Sequence, residues 1–225
     1  MTSTTKSKSK SKSQGPPTSS NRSFLLVVVG IVVIGLLGVA FLATQRGADK
    51  AEQEANQAAD VEIDGDPLAP MSGSGVGADD PAVGAIAPTL VGTDFDGTEV
   101  RIEPDGRPKV VYFLAHWCSH CQVEVPLVVE LIDEGSQPEN LDIYAVSTAL
   151  NQSPLNFPPE TWLEREGFQP PVIRDTETSS ALAAYGSGGF PYAVYLDGDN
   201  RVLTRSAGEL GKDTIASLWE ITAAA

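Results

Sequence analysis

Two cysteines and two histidines are all that this 225-residue chain contains of either type, and all four lie between positions 116 and 121. Cys118 and Cys121 are spaced C-x-x-C, directly after an apolar run at 110–114 that reads as a buried strand and before a segment of helical pattern. That order suits a dithiol redox site. The spacing lets the first sulfur sit exposed at a helix N-terminus, where free N–H groups and the helix dipole favour its thiolate. The second sulfur, one turn in, lies close enough to attack a mixed disulfide made by the first.

Two other uses of the same residues compete. A disulfide between positions three apart closes a loop worth only about 2 kcal/mol on loop-entropy grounds, against about 4.7 for a 100-residue loop, so a structural staple would place its cysteines farther apart. His116, Cys118, His120 and Cys121 are by type suited to zinc or copper, which makes a metal-binding protein or metal chaperone the alternative. Against it, all four come from one short segment, and no histidine elsewhere could complete a site.

The surrounding pattern supplies a scaffold for the pair. Thr89 to Val91 and Thr98 to Ile102 read as strands joined by a turn at Asp94-Phe95-Asp96-Gly97. A helical stripe runs from Ser119 to Ile132, with Pro126 removing one backbone donor inside it. Further strands are expected at 141–146 and 171–173, and helices at 159–166, 177–185 and 212–222. A hairpin across Asp197-Gly198-Asp199-Asn200 joins strands 193–196 and 201–205. Strands alternating with helices and ending in an antiparallel hairpin imply an α/β fold, a mixed central sheet flanked by helices.

The N-terminal part differs in kind. The chain carries 15 basic and 30 acidic residues, for a net charge of −15, yet positions 1–44 hold five of the basic residues (Lys6, Lys8, Lys10, Lys12 and Arg22) and no acid. An acidic remainder excludes nucleic acid as a partner, since nothing there would neutralise phosphates. From Phe24 to Ala43 no residue is charged or strongly polar, long enough for a helix across a bilayer about 30 Å thick. No clear A-x-A site follows it. The expected organisation is a disordered basic cytoplasmic tail at 1–23, a single transmembrane helix at 24–44, a flexible extracytoplasmic linker at 45–83 and a folded domain at 84–225. The basic flank stays in the cytoplasm by the positive-inside rule, which puts the cysteines outside, where a disulfide persists.

Trp117-Cys118-Ser119-His120-Cys121 with Pro126, followed by Gly189-Phe190-Pro191 before a strand, resembles the thioredoxin superfamily. Gly84-Ala85-Ile86-Ala87-Pro88, Cys121-Gln122-Val123-Glu124-Val125-Pro126 (the pattern C-x-x-E-x-P), Ile173-Arg174-Asp175 and Leu196-Asp197-Gly198 narrow this to a resemblance to membrane-tethered TlpA/ResA-like thiol–disulfide oxidoreductases, over 84–225. The resemblance implies a thioredoxin-like fold and disulfide exchange with protein thiols and disulfides. It also implies no cofactor, and a membrane redox partner that recharges the pair. It makes Cys118 the attacking and Cys121 the resolving thiol, Glu124 a carboxylate near the active site, and Pro191 a cis-proline facing the cysteines. Trp117 and Phe190 become substrate-facing. Two positions depart from the pattern. Leu114 stands where the family commonly has Trp. His120 stands where thioredoxin has Pro and resembles the C-P-H-C of the disulfide-forming enzyme DsbA. The resemblance at large implies a reductase, whereas an imidazole beside Cys118 stabilises the thiolate and leans toward oxidant or isomerase.

Overall fold

Positions 110–114 alternate between two cores. Val110, Tyr112 and Leu114 face one and Val111 and Phe113 the other, all at most 2% exposed. A strand buried on both faces belongs at the middle of a sheet covered on both sides, which explains why this run is continuously apolar. The structure is a computed structural model that describes residues 57–77, 79–151 and 153–225, together with Leu26, Val28, Val29, Ile31, Val32, Gly35 and Gly38.

Two compact units divide the chain at residue 50. In the first, the described residues are helical and the side chains of Leu26, Val28, Val29, Ile31 and Val32 are exposed. No helix among the described residues is long and apolar enough to cross a membrane. Most of the expected span at 24–44, the expected tail at 1–23 and positions 45–56 of the expected linker lie outside the described residues.

The second unit runs β1 (Glu62–Asp64), β2 (Gly75–Val76), β3 (Thr89–Thr93), β4 (Glu99–Ile102), β5 (Lys109–Leu114), α1 (Ser119–Asp133), β6 (Asp142–Ser147), α2 (Pro159–Glu166), β7 (Val172–Arg174), α3 (Ser180–Ala184), β8 (Tyr192–Leu196), β9 (Val202–Ala207) and α4 (Lys212–Ala223). Six strands form one sheet in the order β2-β9-β8-β5-β6-β7, parallel for β5–β6 and β6–β7 and antiparallel for the other pairs. The expected mixed sheet flanked by helices is present. Residues from α1, α2 and α4 pack on the Tyr112 face, and α3 with the β3–β4 hairpin packs on the Phe113 face. The hairpin turn forms as its residues imply, Asp94 Oδ1 accepting the Asp96 and Thr98 N–H groups at 3.0 and 2.8 Å.

Two expectations need correction. The helix expected at 177–185 is only Ser180–Ala184, because Asp175 and Thr176 side chains accept the N–H groups of Ser180, Ala181 and Leu182 and so fix its start. The linker expected to reach residue 83 is, from residue 57, part of the folded unit. β1 pairs with β3, and β2 extends the six-stranded sheet beyond β9. Leu68, Met71 and Ala82 are buried in the core. The N–H groups of Leu68 and Met71 donate to Ala184 O and Gly186 O at 2.8 and 2.9 Å. A strap of Gly, Pro and Asp that follows another surface needs no periodicity of its own, so it reads in sequence like a spacer.

Candidate active site

Cys118 is the N-cap residue of α1, in extended conformation (φ −78°, ψ 117°), with no side chain capping the helix. The helix N–H groups therefore stand open beside its sulfur. Both cysteines are free thiols and buried. Cys118 is 8% exposed, so the expectation of an open attacking sulfur is corrected: Cys118 lies in the core cluster against which Trp117 and Phe190 pack. Its Sγ lies 3.8 Å from the Phe190 carbonyl oxygen. The Phe190–Pro191 peptide bond is cis, and Trp117 meets the Phe190 ring edge-on with centroids 6.0 Å apart. The Trp117 indole N–H donates to Ala149 O at 2.7 Å, which fixes the ring. The pairs Trp117–Cys118 and Phe190–Pro191, 72 positions apart at Cys118 and Phe190, thus meet at one place.

Behind the first sulfur lies Cys121, fully buried. Burial, with Cys118 and the Glu124 carboxylate beside it, pushes its thiol well above the usual range. Glu124 is 2% exposed, on the same face of α1, and Oε2 accepts the Leu210 N–H at 2.6 Å. Burial pushes Glu124 up to about 7; the Leu210 N–H opposes the shift and the nearby Glu209 charge adds to it. A buried acid that titrates near neutrality beside a thiol reluctant to ionise is chemically suited to take the thiol's proton.

The two histidines separate. His116 is 1% exposed and its Nδ1 pairs with Leu155 O at 2.8 Å, while the exposed His120 pairs through Nδ1 with Glu209 Oε2 at 2.9 Å. Among the described residues no group of three or more His, Cys, Asp or Glu side chains is arranged to hold a metal ion. Sequence reading did not find Glu209, Leu210 or Leu155. Nothing in a Gly-Glu-Leu-Gly loop or in a Pro/Asn-rich one marks contacts made 39 to 89 positions away.

Residues 83–202 match the AhpC/TSA family. The chain belongs to that family. Among similar proteins, the thiol-disulfide oxidoreductase ResA of Geobacillus thermodenitrificans is 33% identical over 136 residues, covering 60% of this chain and 74% of its own length. The thiol:disulfide interchange protein HelX of Rhodobacter capsulatus is 30% identical over 165 residues, 66% of this chain and 88% of its own. StoA from Bacillus subtilis superposes with a TM-score of 0.50 at 16% identity, covering 61% of this chain and 98% of its own. A putative DsbE from Chlorobium tepidum superposes with a TM-score of 0.51 at 17% identity, over 62% and 96%. These two structural likenesses show the thioredoxin-like fold.

Proposed function

We propose that this chain is a membrane-anchored thiol–disulfide oxidoreductase that exchanges disulfides with protein substrates outside the cytoplasm, chiefly as a reductase. The observation that carries the reading is Cys118 at the open end of α1 against the Phe190 carbonyl, with Cys121 and the near-neutral acid Glu124 buried behind it. Relatives named as thiol–disulfide oxidoreductases support it.

In the reducing direction the Cys118 thiolate attacks one sulfur of a substrate disulfide. That S–S bond breaks, the second substrate sulfur leaves as a thiolate that solvent protonates, and a mixed disulfide remains. Glu124 accepts the Cys121 proton as that sulfur attacks Cys118 Sγ. The Cys118–Cys121 disulfide forms, the first substrate sulfur leaves as a thiolate and takes up the proton that Glu124 holds, and two electrons have passed to the substrate. An extended substrate segment lies along the Phe190–Pro191 backbone, with Trp117 as its apolar floor. No cofactor enters. A membrane redox partner returns the two electrons, and the apolar segment from Phe24 to Ala43 holds the chain beside it.

The test is Cys121→Ser in the full chain, expressed in membranes and quenched with acid. Mixed disulfides between Cys118 and partner proteins are expected to accumulate. Their absence, where Cys118 alkylates readily, overturns the exchange reading. An impermeant maleimide added to intact cells should label Cys118; labelling only after lysis overturns the proposed topology.

A further inference from the structure

Three consecutive residues after β9 reach three different parts of the site. The Gly208 N–H donates to Pro191 O at 2.8 Å, Glu209 Oε2 meets His120 Nδ1 at 2.9 Å, and the Leu210 N–H donates to Glu124 Oε2 at 2.6 Å. His120 and Glu124 are four positions apart and so share one face of α1. The loop at 208–210 therefore clamps the cis-proline turn to the face of the helix that follows Cys118.

Of the three contacts, only the Glu209 contact involves a side chain of the loop. Its carboxylate is 39% exposed and the imidazole 64%, so neither is needed to fill the core. An imidazolium standing alone next to Cys118 would favour the thiolate, and a stabilised reduced form makes a cysteine pair more oxidising. A carboxylate paired with that imidazolium would offset its charge.

We propose that Glu209 is a positioning residue that sets the redox balance of the cysteine pair from outside its motif, by holding His120 and offsetting the charge of its imidazolium form, so that the pair favours reduction of substrates. The inference rests on the exchange reading above. It resolves a conflict internal to the motif, in which the resemblance at large implies a reductase and the Ser119-His120 dipeptide an oxidant. Glu209 also acts on the second carboxylate directly, since its charge helps to keep Glu124 protonated toward neutral pH. The other titratable groups facing Glu124 are Cys121 on its own helix, Tyr112 on β5 and Tyr195 on β8.

The experiment equilibrates the full chain, in detergent, with glutathione redox buffers and compares wild type, Glu209→Gln, Glu209→Asp, His120→Ala and the Glu209→Gln/His120→Ala pair. Glu209→Gln removes the charge and should move the equilibrium toward the reduced protein by roughly three- to tenfold, the size of one charge pair near a surface. Glu209→Asp should stay near wild type. In the His120→Ala background the effect of Glu209→Gln should fall to less than half, since the two substitutions remove one interaction. A merely structural Glu209 would shift the unfolding midpoint and leave the equilibrium alone. An unchanged equilibrium in Glu209→Gln, or a change of equal size with and without His120, overturns the inference while leaving disulfide exchange standing. A wild-type chain that forms no reversible disulfide overturns both.

Discussion

The Asp80 carboxylate lies against the Arg205 guanidinium at the edge of the six-stranded sheet, with the two side chains 1% and 0% exposed. Arg205 Nε donates to Asp80 Oδ2 at 2.6 Å, and Nη1 reaches Ala69 O at 2.9 Å, Tyr185 O at 3.2 Å and Tyr192 Oη at 3.0 Å. One cation thus fastens the strap at 57–83 to both ends of the turn that carries Phe190 and Pro191. Gly186, at φ 72°, belongs to this arrangement: a Cβ there would meet Leu68 O and Arg205 Nη1 closer than 3 Å. Asp80→Ala leaves the guanidinium buried and unpaired, which should cost about 3–5 kcal/mol in urea denaturation.

The same pair sets an acid limit on the fold. Burial works to raise the Asp80 carboxyl, but the Arg205 guanidinium and the Ala82 N–H outweigh it and hold the group below its ordinary 3.8. A depressed acid contributes stability that is present above the unfolded value and is lost as pH falls through the folded one. Wild type should therefore lose stability below about pH 4, and the fall should be shallower in Asp80→Ala. A fragment beginning at residue 84 lacks the whole strap and should unfold well before one beginning at residue 57.

The sequence was informative where chemistry or periodicity is local. The C-x-x-C spacing, the two-sided burial of 110–114, the turn residues Asp94 and Asp197 and the stripe of α1 are all set by neighbours within a few positions, and each is where the pattern puts it. The strap was not legible, because Leu68, Met71 and Ala82 are isolated apolar residues among Gly, Pro and Asp, and their burial depends on a surface built by later residues. His116 looked like a ligand because it is chemically able to be one; what decides its role is the Leu155 carbonyl, 39 positions on. Glu209 drew no reading at all, because its partner His120 lies 89 positions before it.

Glu124 should leave its mark on rate and on stability, with opposite senses in pH. Its folded value near 7 lies above its ordinary 4.5, so the folded state binds the extra proton. Its contribution is therefore fully present below the unfolded value and is lost as pH rises through about 7, in total roughly 3 kcal/mol. Glu124→Gln keeps an acceptor for the Leu210 N–H and carries no charge, so it should be more stable than wild type at pH 8 and similar at pH 5. In its proposed role as the base for Cys121, Glu124 is useful only when ionised. The rate of mixed-disulfide resolution should rise through pH 7 in wild type and drop on the order of a hundredfold, without that inflection, in Glu124→Gln.

His116 is a clasp on the segment after β6. Its ring pairs with Leu155 O, lies edge-on to Phe157 at 5.5 Å, and its carbonyl accepts the Gln122 side-chain amide at 3.1 Å. His116→Ala removes a buried ring and one hydrogen bond, expected to cost about 2–4 kcal/mol. Amide hydrogen exchange should quicken between residues 153 and 158, while metal affinity of the chain stays unchanged. A large loss of zinc or copper binding in His116→Ala would revive the metal reading.

Cys118 is nearly closed to solvent, yet in the proposed exchange it must meet a substrate sulfur, so access to it is a function of its cover. Trp117 and Phe190 supply apolar cover beside it, and only the Trp117 ring is fixed by a hydrogen bond of its own, to Ala149 O. Phe190→Ala should therefore open the sulfur while the Phe190 backbone carbonyl remains. A bulky maleimide should label Cys118 several-fold faster in this variant, whereas iodoacetamide, small enough to enter beside the rings, should gain less. Equal gains for both reagents would mean that the thiolate itself had changed, and unchanged rates would mean that the ring does not cover the sulfur. Protein substrates should respond in the other direction. Phe190 also offers apolar area for an incoming segment, so the variant should reduce a small disulfide at least as fast as wild type and a protein disulfide with a higher KM.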